Sequence, residues 1–222
     1  MNATEPSPAG RARWIRAALP PGGLFAGHEW RISPAPFRLE PKVAKELESL
    51  GRVLLQFYRA VNLLYRRSAE GKQPEWVARW LDAGKPPELI ELQRSPAWKN
   101  DVPRVIRPDL LLTEEGMSAT ELDSVPGGIG LTAWLNQTYA GVESRESRVE
   151  GQILGGADGM VSGFASIFGD AKRVHIIVSD EAATYRPEMV WLAQQLGPRF
   201  TVHDSRFTVQ RFRRRRRGLP FF

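Results

Sequence analysis

Residues 104–125 read RVIRPDLLLTEEGMSATELDSV, two strand-like runs joined by Glu114-Glu115-Gly116. A three-residue hairpin loop ending in glycine is a known solution, because its third residue takes a left-handed conformation. Pairing Thr113 with Met117 then sets Asp109 opposite Glu121 and Arg107 opposite Asp123. The period of two puts all four side chains on one face and leaves Ile106, Leu110, Leu112 and Leu122 to bury on the other. Carboxylates facing each other repel, by about 4 kcal/mol at ~4 Å and an effective dielectric of ~20. Two readings fit: a solvated face whose charges water screens, or a face holding a cation. Oxygen ligands without His or Cys suit Mg²⁺, which takes one or two carboxylates plus substrate phosphates.

N-terminal to the hairpin the chain reads as helical. Residues 1–40 are rich in Pro, Gly and Ala and suggest an extended arm. From Val43 to Tyr65 apolar residues recur every three or four positions, at Val43, Leu47, Leu50, Leu54, Phe57, Tyr58, Val61 and Leu64-Tyr65. That is one stripe on a long helix, opened by Pro41 and closed by Arg66-Arg67. Prolines open two short helices near Pro74–Leu81 and Pro87–Leu92.

C-terminal to the hairpin, Pro126-Gly127-Gly128-Ile129-Gly130 precedes the amphipathic run LTAWLNQTYA. Gly127 and Gly128 stand where backbone amides at a helix start can hold a phosphate, and a plain turn is the other reading. Residues 141–159 read as a loop and Met160–Phe168 as a short helix. Residues 173–204 read strand, loop, helix, strand: VHIIVS, covered on both faces; a helix from Pro187 to Leu196; then FTVH. The two strands should be parallel, and at least one more strand is expected to join them. Asp180-Glu181 and Tyr185-Arg186 follow the first strand, where open α/β sheets bind ligands, though a loop and helix start is the preferred reading. The expected class is α+β. The expected segments are an arm over 1–40, a helical and hairpin region over 41–170, a Rossmann-like unit over 171–205 and a basic tail over 206–222.

The composition, 42% apolar and 25% charged, is that of a globular protein. No window approaches the ~20 apolar residues of a membrane span, and the N-terminus lacks the apolar run of a signal peptide, so a cytoplasmic location is expected. There is no cysteine, which excludes thiolate chemistry. The three histidines, His28, His175 and His203, are far apart in sequence, which argues against His-based zinc sites. His175 reads as a packed core histidine, while His28 and His203 have no partner in sequence. Trp76, Trp80, Trp98, Trp134 and Trp191 read as core or interface anchors. The net charge of +6 equals the six arginines of Arg211–Arg217, so the remainder is neutral and offers nucleic acid no overall field.

Arg107-Pro-Asp109, followed twelve positions on by Glu121-Leu-Asp123 and then Pro126-Gly127-Gly128, resembles the circularly permuted ATP-grasp proteins related to glutathionylspermidine synthase. That family carries an R-x-D strand and, across a hairpin, an E-x-N strand. The resemblance implies Mg²⁺ ligands at Asp109, Glu121 and Asp123, with Arg107 facing the transferring phosphoryl group. Asp123 stands where the family has Asn, adding a charge. VHIIVSDEAATYRPEMVWLAQQL is similar to the Rossmann-like pre-ATP-grasp unit that follows in the permuted order. The implied activity is ATP-dependent ligation of a small carboxylate to an amine through an acyl phosphate, with Mg²⁺ and ATP as cofactors.

In the family, a nucleotide-gripping lobe follows the β-α-β unit, about where this sequence ends. The terminal VQRFRRRRRGLPFF reads as an aberrant or out-of-frame end, and the chain is expected to be inactive alone. A different class of function, a non-catalytic polyanion-binding or partner-docking protein, is the alternative. Six arginines in seven positions bind nucleic acid or other polyanions non-specifically and salt-dependently.

Overall fold

A computed structural model of the chain describes residues 7–26, 30–146 and 153–204. His28 and the basic tail lie outside the described residues. The fold is α+β and divides into two compact units, Leu39–Val125 and a second one joining the chain up to Arg38 with Pro126 onward.

The second unit begins with α1 (Pro8–Ala17), where the sequence suggested an extended arm. The Ser7 hydroxyl accepts from Gly10 N and Pro8 sits in the first turn, so a helix start is well specified. Ile15 is completely buried and packs with Phe25, Ile32 and Trp134, so the segment belongs to a core.

The Leu39–Val125 unit is built on α2 (Pro41–Ala69), α3 (Glu75–Asp82) and α4 (Pro87–Arg94). Leu54 and Tyr65 of the α2 stripe are buried, whereas Phe57 and Leu64 are exposed. Polar side chains tie these helices together. The buried Ser68 hydroxyl donates to Pro74 O (2.6 Å) and accepts from Ala78 N (3.0 Å), fixing the turn into α3. Tyr65 donates to Asp82 (2.7 Å), Asp82 is ion-paired with Arg94, and Arg66 donates to the carbonyls of Gln93, Arg94 and Ser95 at the end of α4. These last carbonyls have no partner within the helix, so the guanidinium supplies one. Trp76 and Trp80 of α3 are exposed, which removes the core alternative of the expected core or interface anchors: Val77 and Ala78 take the buried side of this two-turn helix.

The hairpin follows, β1 (Arg107–Thr113) antiparallel to β2 (Gly116–Asp123). Its turn has two residues, Glu114 and Glu115, and Thr113 pairs with Gly116 rather than Met117. The left-handed backbone falls on Gly116 (φ 136°). A bulge at Thr120, between the pairs Asp109–Glu121 and Leu110–Ala119, absorbs the one-residue difference. The base of the ribbon therefore has the expected register and its tip does not. Leu110 and Leu122 are half-buried, but Leu112, expected to bury, is exposed, as is Leu111.

In the other unit, α5 (Ile129–Glu146) extends into the stretch expected as a loop. It is followed by α6 (Gly159–Ser166), β3 (Val174–Ile177), α7 (Arg186–Leu196) and β4 (Phe200–His203). Strands β3 and β4 are parallel, as expected of a β-α-β connection. Val174, Ile176, Phe200 and Val202 face a core shared with Ala193 and Leu196 of α7. The other face carries His175, Ile177 and Thr201, all exposed, so β3 is covered on one side only. Among the described residues no third strand joins this pair. The expected grouping of residues 41–170 gives way to one in which α5 goes with α7, for a reason that lies in Glu188.

Candidate functional site

The base of the hairpin sets Arg107 opposite Asp123 and Asp109 opposite Glu121. Both pairs lie below the bulge, so the period of two keeps the four residues on one face. Both oxygens of Asp123 accept hydrogen bonds. Its Oδ2 accepts from Arg107 Nη1 (2.9 Å) and its Oδ1 from the amide of Val125 (2.7 Å), closing an Asx-type turn at the strand end. Arg107 Nη1 also donates to Val125 O (3.2 Å). The guanidinium is thus held over the strand end, and among the described residues Nε and Nη2 keep their donors. Asp109 and Glu121 are exposed, and no hydrogen bond or ion pair engages either carboxylate among the described residues. Their mutual repulsion is screened by solvent.

Asp109, Glu121 and Asp123 do not converge: among the described residues no three acidic or histidine side chains form a group able to hold a metal ion. Asp123 instead turns its oxygens to Arg107 and to the Val125 amide. The donor set that remains, two carboxylates side by side on one strand face, still matches the hard-oxygen preference of Mg²⁺.

Gly127 and Gly128 have another role. The carboxylate of Glu188, from α7, is completely buried and accepts from Gly128 N (2.5 Å) and Leu131 N (2.8 Å). These are the N-cap and third-residue amides of α5, the two donors that a capping box satisfies with local side chains. Gly128 has no side chain, so one distant glutamate serves both. At the Gly128 and Leu131 amides the anion is therefore the protein's own, and these two donors are not open to a phosphate. The glycines permit the approach. A Cβ on Gly127 would come within 2.6 Å of the Tyr185 ring, and one on Gly130 would collide with the backbone carbonyl of Glu188. Tyr185 thus packs on the glycine turn, and Arg186 bonds to Val178 O (3.2 Å) and pairs with Asp180 (3.5 Å).

Two histidines 28 positions apart come together. Nδ1 of His175 lies 2.9 Å from Nε2 of His203, with ring centroids 5.1 Å apart. His175 is exposed rather than packed in a core. Burial, and secondarily the neighbouring His175, holds the His203 imidazole below its usual range, while Asp204 opposes the shift. Sequence distance concealed the pair. The signal was the parallel register, which starts both strands together at Val174 and Phe200 and brings the second residue of one beside the fourth of the other.

A cavity of about 300 Å³ lies near α1, lined by Arg16, Leu19, Phe25 and Trp30 among others. Arg16 is engaged there, donating to Trp30 O (2.9 Å). Among the described residues no helix is long and apolar enough to cross a membrane. No protein-family model, no curated protein and no solved structure matches the chain.

Proposed function

We propose that the hairpin base is the phosphate-facing element of an ATP-dependent carboxylate–amine ligase of the circularly permuted ATP-grasp type. The observation that carries this reading is the pairing of Asp109 with Glu121 beside an Arg107 held in place by Asp123 and Val125. Supporting it is the parallel β3–α7–β4 connection, which on this reading would be the counterpart of the Rossmann-like pre-ATP-grasp unit of that family.

On this reading Asp109 and Glu121 would hold Mg²⁺ together with nucleotide phosphate oxygens, within the one or two carboxylates that Mg²⁺ takes in such sites. The ion supplies charge neutralisation across the phosphates. Arg107 directs its free N–H donors at the transferring phosphoryl group, where a planar fork matches the oxygens. Asp123 acts first as a positioning residue that fixes the guanidinium, and the lone pairs its two hydrogen bonds leave could also reach the ion. The substrates would be a small carboxylate and an amine, joined through an acyl phosphate, in the cytoplasm.

The test is calorimetric titration of Mg-ATP into the full chain and into an Asp109→Ala, Glu121→Ala double variant. The expected result is saturable binding that the double variant loses and that needs Mg²⁺. Binding that is absent in the parent, or equal in both, overturns the reading. Neither side chain makes a hydrogen bond among the described residues, so the substitutions leave the hairpin intact.

A further inference from the structure

We infer that His175 and His203 form a two-imidazole site for a borderline divalent transition metal, Zn²⁺ or Ni²⁺, on the outward face of the β3–β4 ribbon. The two rings project from adjacent parallel strands, His175 opposite Thr201 and His203 opposite Ile177, so they meet diagonally on the face away from α7. Their facing nitrogens are 2.9 Å apart. One of the two carries the shared hydrogen and the other a lone pair aimed at it.

A metal can take the place of that hydrogen. Zn–N bonds of about 2.0–2.1 Å at a tetrahedral angle separate the two nitrogens by ~3.4 Å. Small rotations of two exposed or half-buried rings supply the difference. Binding removes the shared hydrogen from the facing nitrogen while the other nitrogen of the same ring takes up a proton from solvent, a change of tautomer with no net proton release that leaves both imidazoles as neutral ligands. Imidazole nitrogen selects Zn²⁺, Ni²⁺ or Cu²⁺ over Mg²⁺, so this site is chemically distinct from the carboxylate pair of the hairpin. Two protein ligands leave the remaining positions to water or to an oxygen of a bound molecule. The backbone supports the geometry: the pair Ile177–His203 is the last of the β3–β4 ladder, and Val178 N continues it by donating to His203 O (3.0 Å).

The absence of cysteine and the presence of only three histidines make the test clean. The full chain, free of any affinity tag and stripped with chelator, is titrated with Zn²⁺ and with Ni²⁺ near neutral pH. One equivalent is expected to bind. His175→Ala and His203→Ala should each weaken it about tenfold or more, which is at least ~1.4 kcal/mol. The Asp109→Ala, Glu121→Ala double variant should bind as the parent does, which separates this site from the hairpin. No saturable binding, or unchanged affinity in both histidine variants, overturns the inference. A second measurement needs no variant. Imidazole NMR of the parent protein should show two of the three histidine rings shifted on Zn²⁺ addition. Shifts confined to one ring would equally refute it.

Discussion

Replacing Glu188 with alanine should destabilise the unit that contains α5 and α7 by about 3–5 kcal/mol. The carboxylate is completely buried and receives two amide hydrogen bonds, from Gly128 and Leu131. Removing it leaves two N–H donors without a partner at the start of an 18-residue helix. Each unsatisfied buried donor costs about 1–3 kcal/mol. Loss of a negative charge at a helix N-terminus adds up to ~2 kcal/mol in partly buried geometry. The carboxylate's own desolvation is relieved, which offsets part of this, and the balance matches the range for breaking a buried charged contact. Glu188→Gln should cost less, about 1–3 kcal/mol, because its amide oxygen can accept one of the two bonds. Urea unfolding gives the global value, and a loss of about 3 kcal/mol corresponds to roughly 6–12 °C in Tm for a chain of this size. Hydrogen exchange gives the local value, since the Gly128 and Leu131 amides should lose protection first. A Glu188→Ala protein within ~0.5 kcal/mol of the parent, with those amides still protected, would refute the capping argument.

Two further outcomes rest on other parts of the structure. Gly130→Ala should destabilise the same unit by about 1–3 kcal/mol, since its Cβ would meet the Glu188 carbonyl and backbone must shift, whereas Gly141→Ala meets nothing and should be neutral or stabilising by urea unfolding. Burial, followed by its hydrogen bond to Asp82, raises the Tyr65 phenol above its ordinary value of 10.0. The unfolded chain therefore gives up this proton first, and the stabilisation is present below about pH 10 and lost as pH rises through the folded value. Ultraviolet phenolate titration of the parent minus Tyr65→Phe should show a group ionising above the usual range; ionisation at or below it would contradict the Tyr65–Asp82–Arg94 arrangement.

The hairpin shows how far local sequence reached. Alternation and the R-x-D and E-x-D spacing gave the pairing of Arg107 with Asp123 and Asp109 with Glu121 at the base. They did not give the tip, where a two-residue turn and the bulge at Thr120 replace a three-residue loop; the two changes cancel, so the base register survives. Spacing places residues on a face, but it does not say which partner each will take. Asp123 bonds to Arg107 and Val125, which no pattern of acids reveals.

What the sequence determined by itself is local: the α2 stripe, the proline-led starts of α3 and α4, the base of the hairpin, and the order strand, helix, strand near the end. Each follows from side-chain period and from backbone preferences that act within a few residues. Tertiary structure alone decided the rest. It packed α1 into a core through Ile15, brought Glu188 across some sixty positions to cap α5 at Gly128 and Leu131, and set His203 against His175. Those contacts join residues whose neighbours in sequence carry no trace of them. Burial and hydrogen bonding act on distance in space, and only the folded chain supplies it.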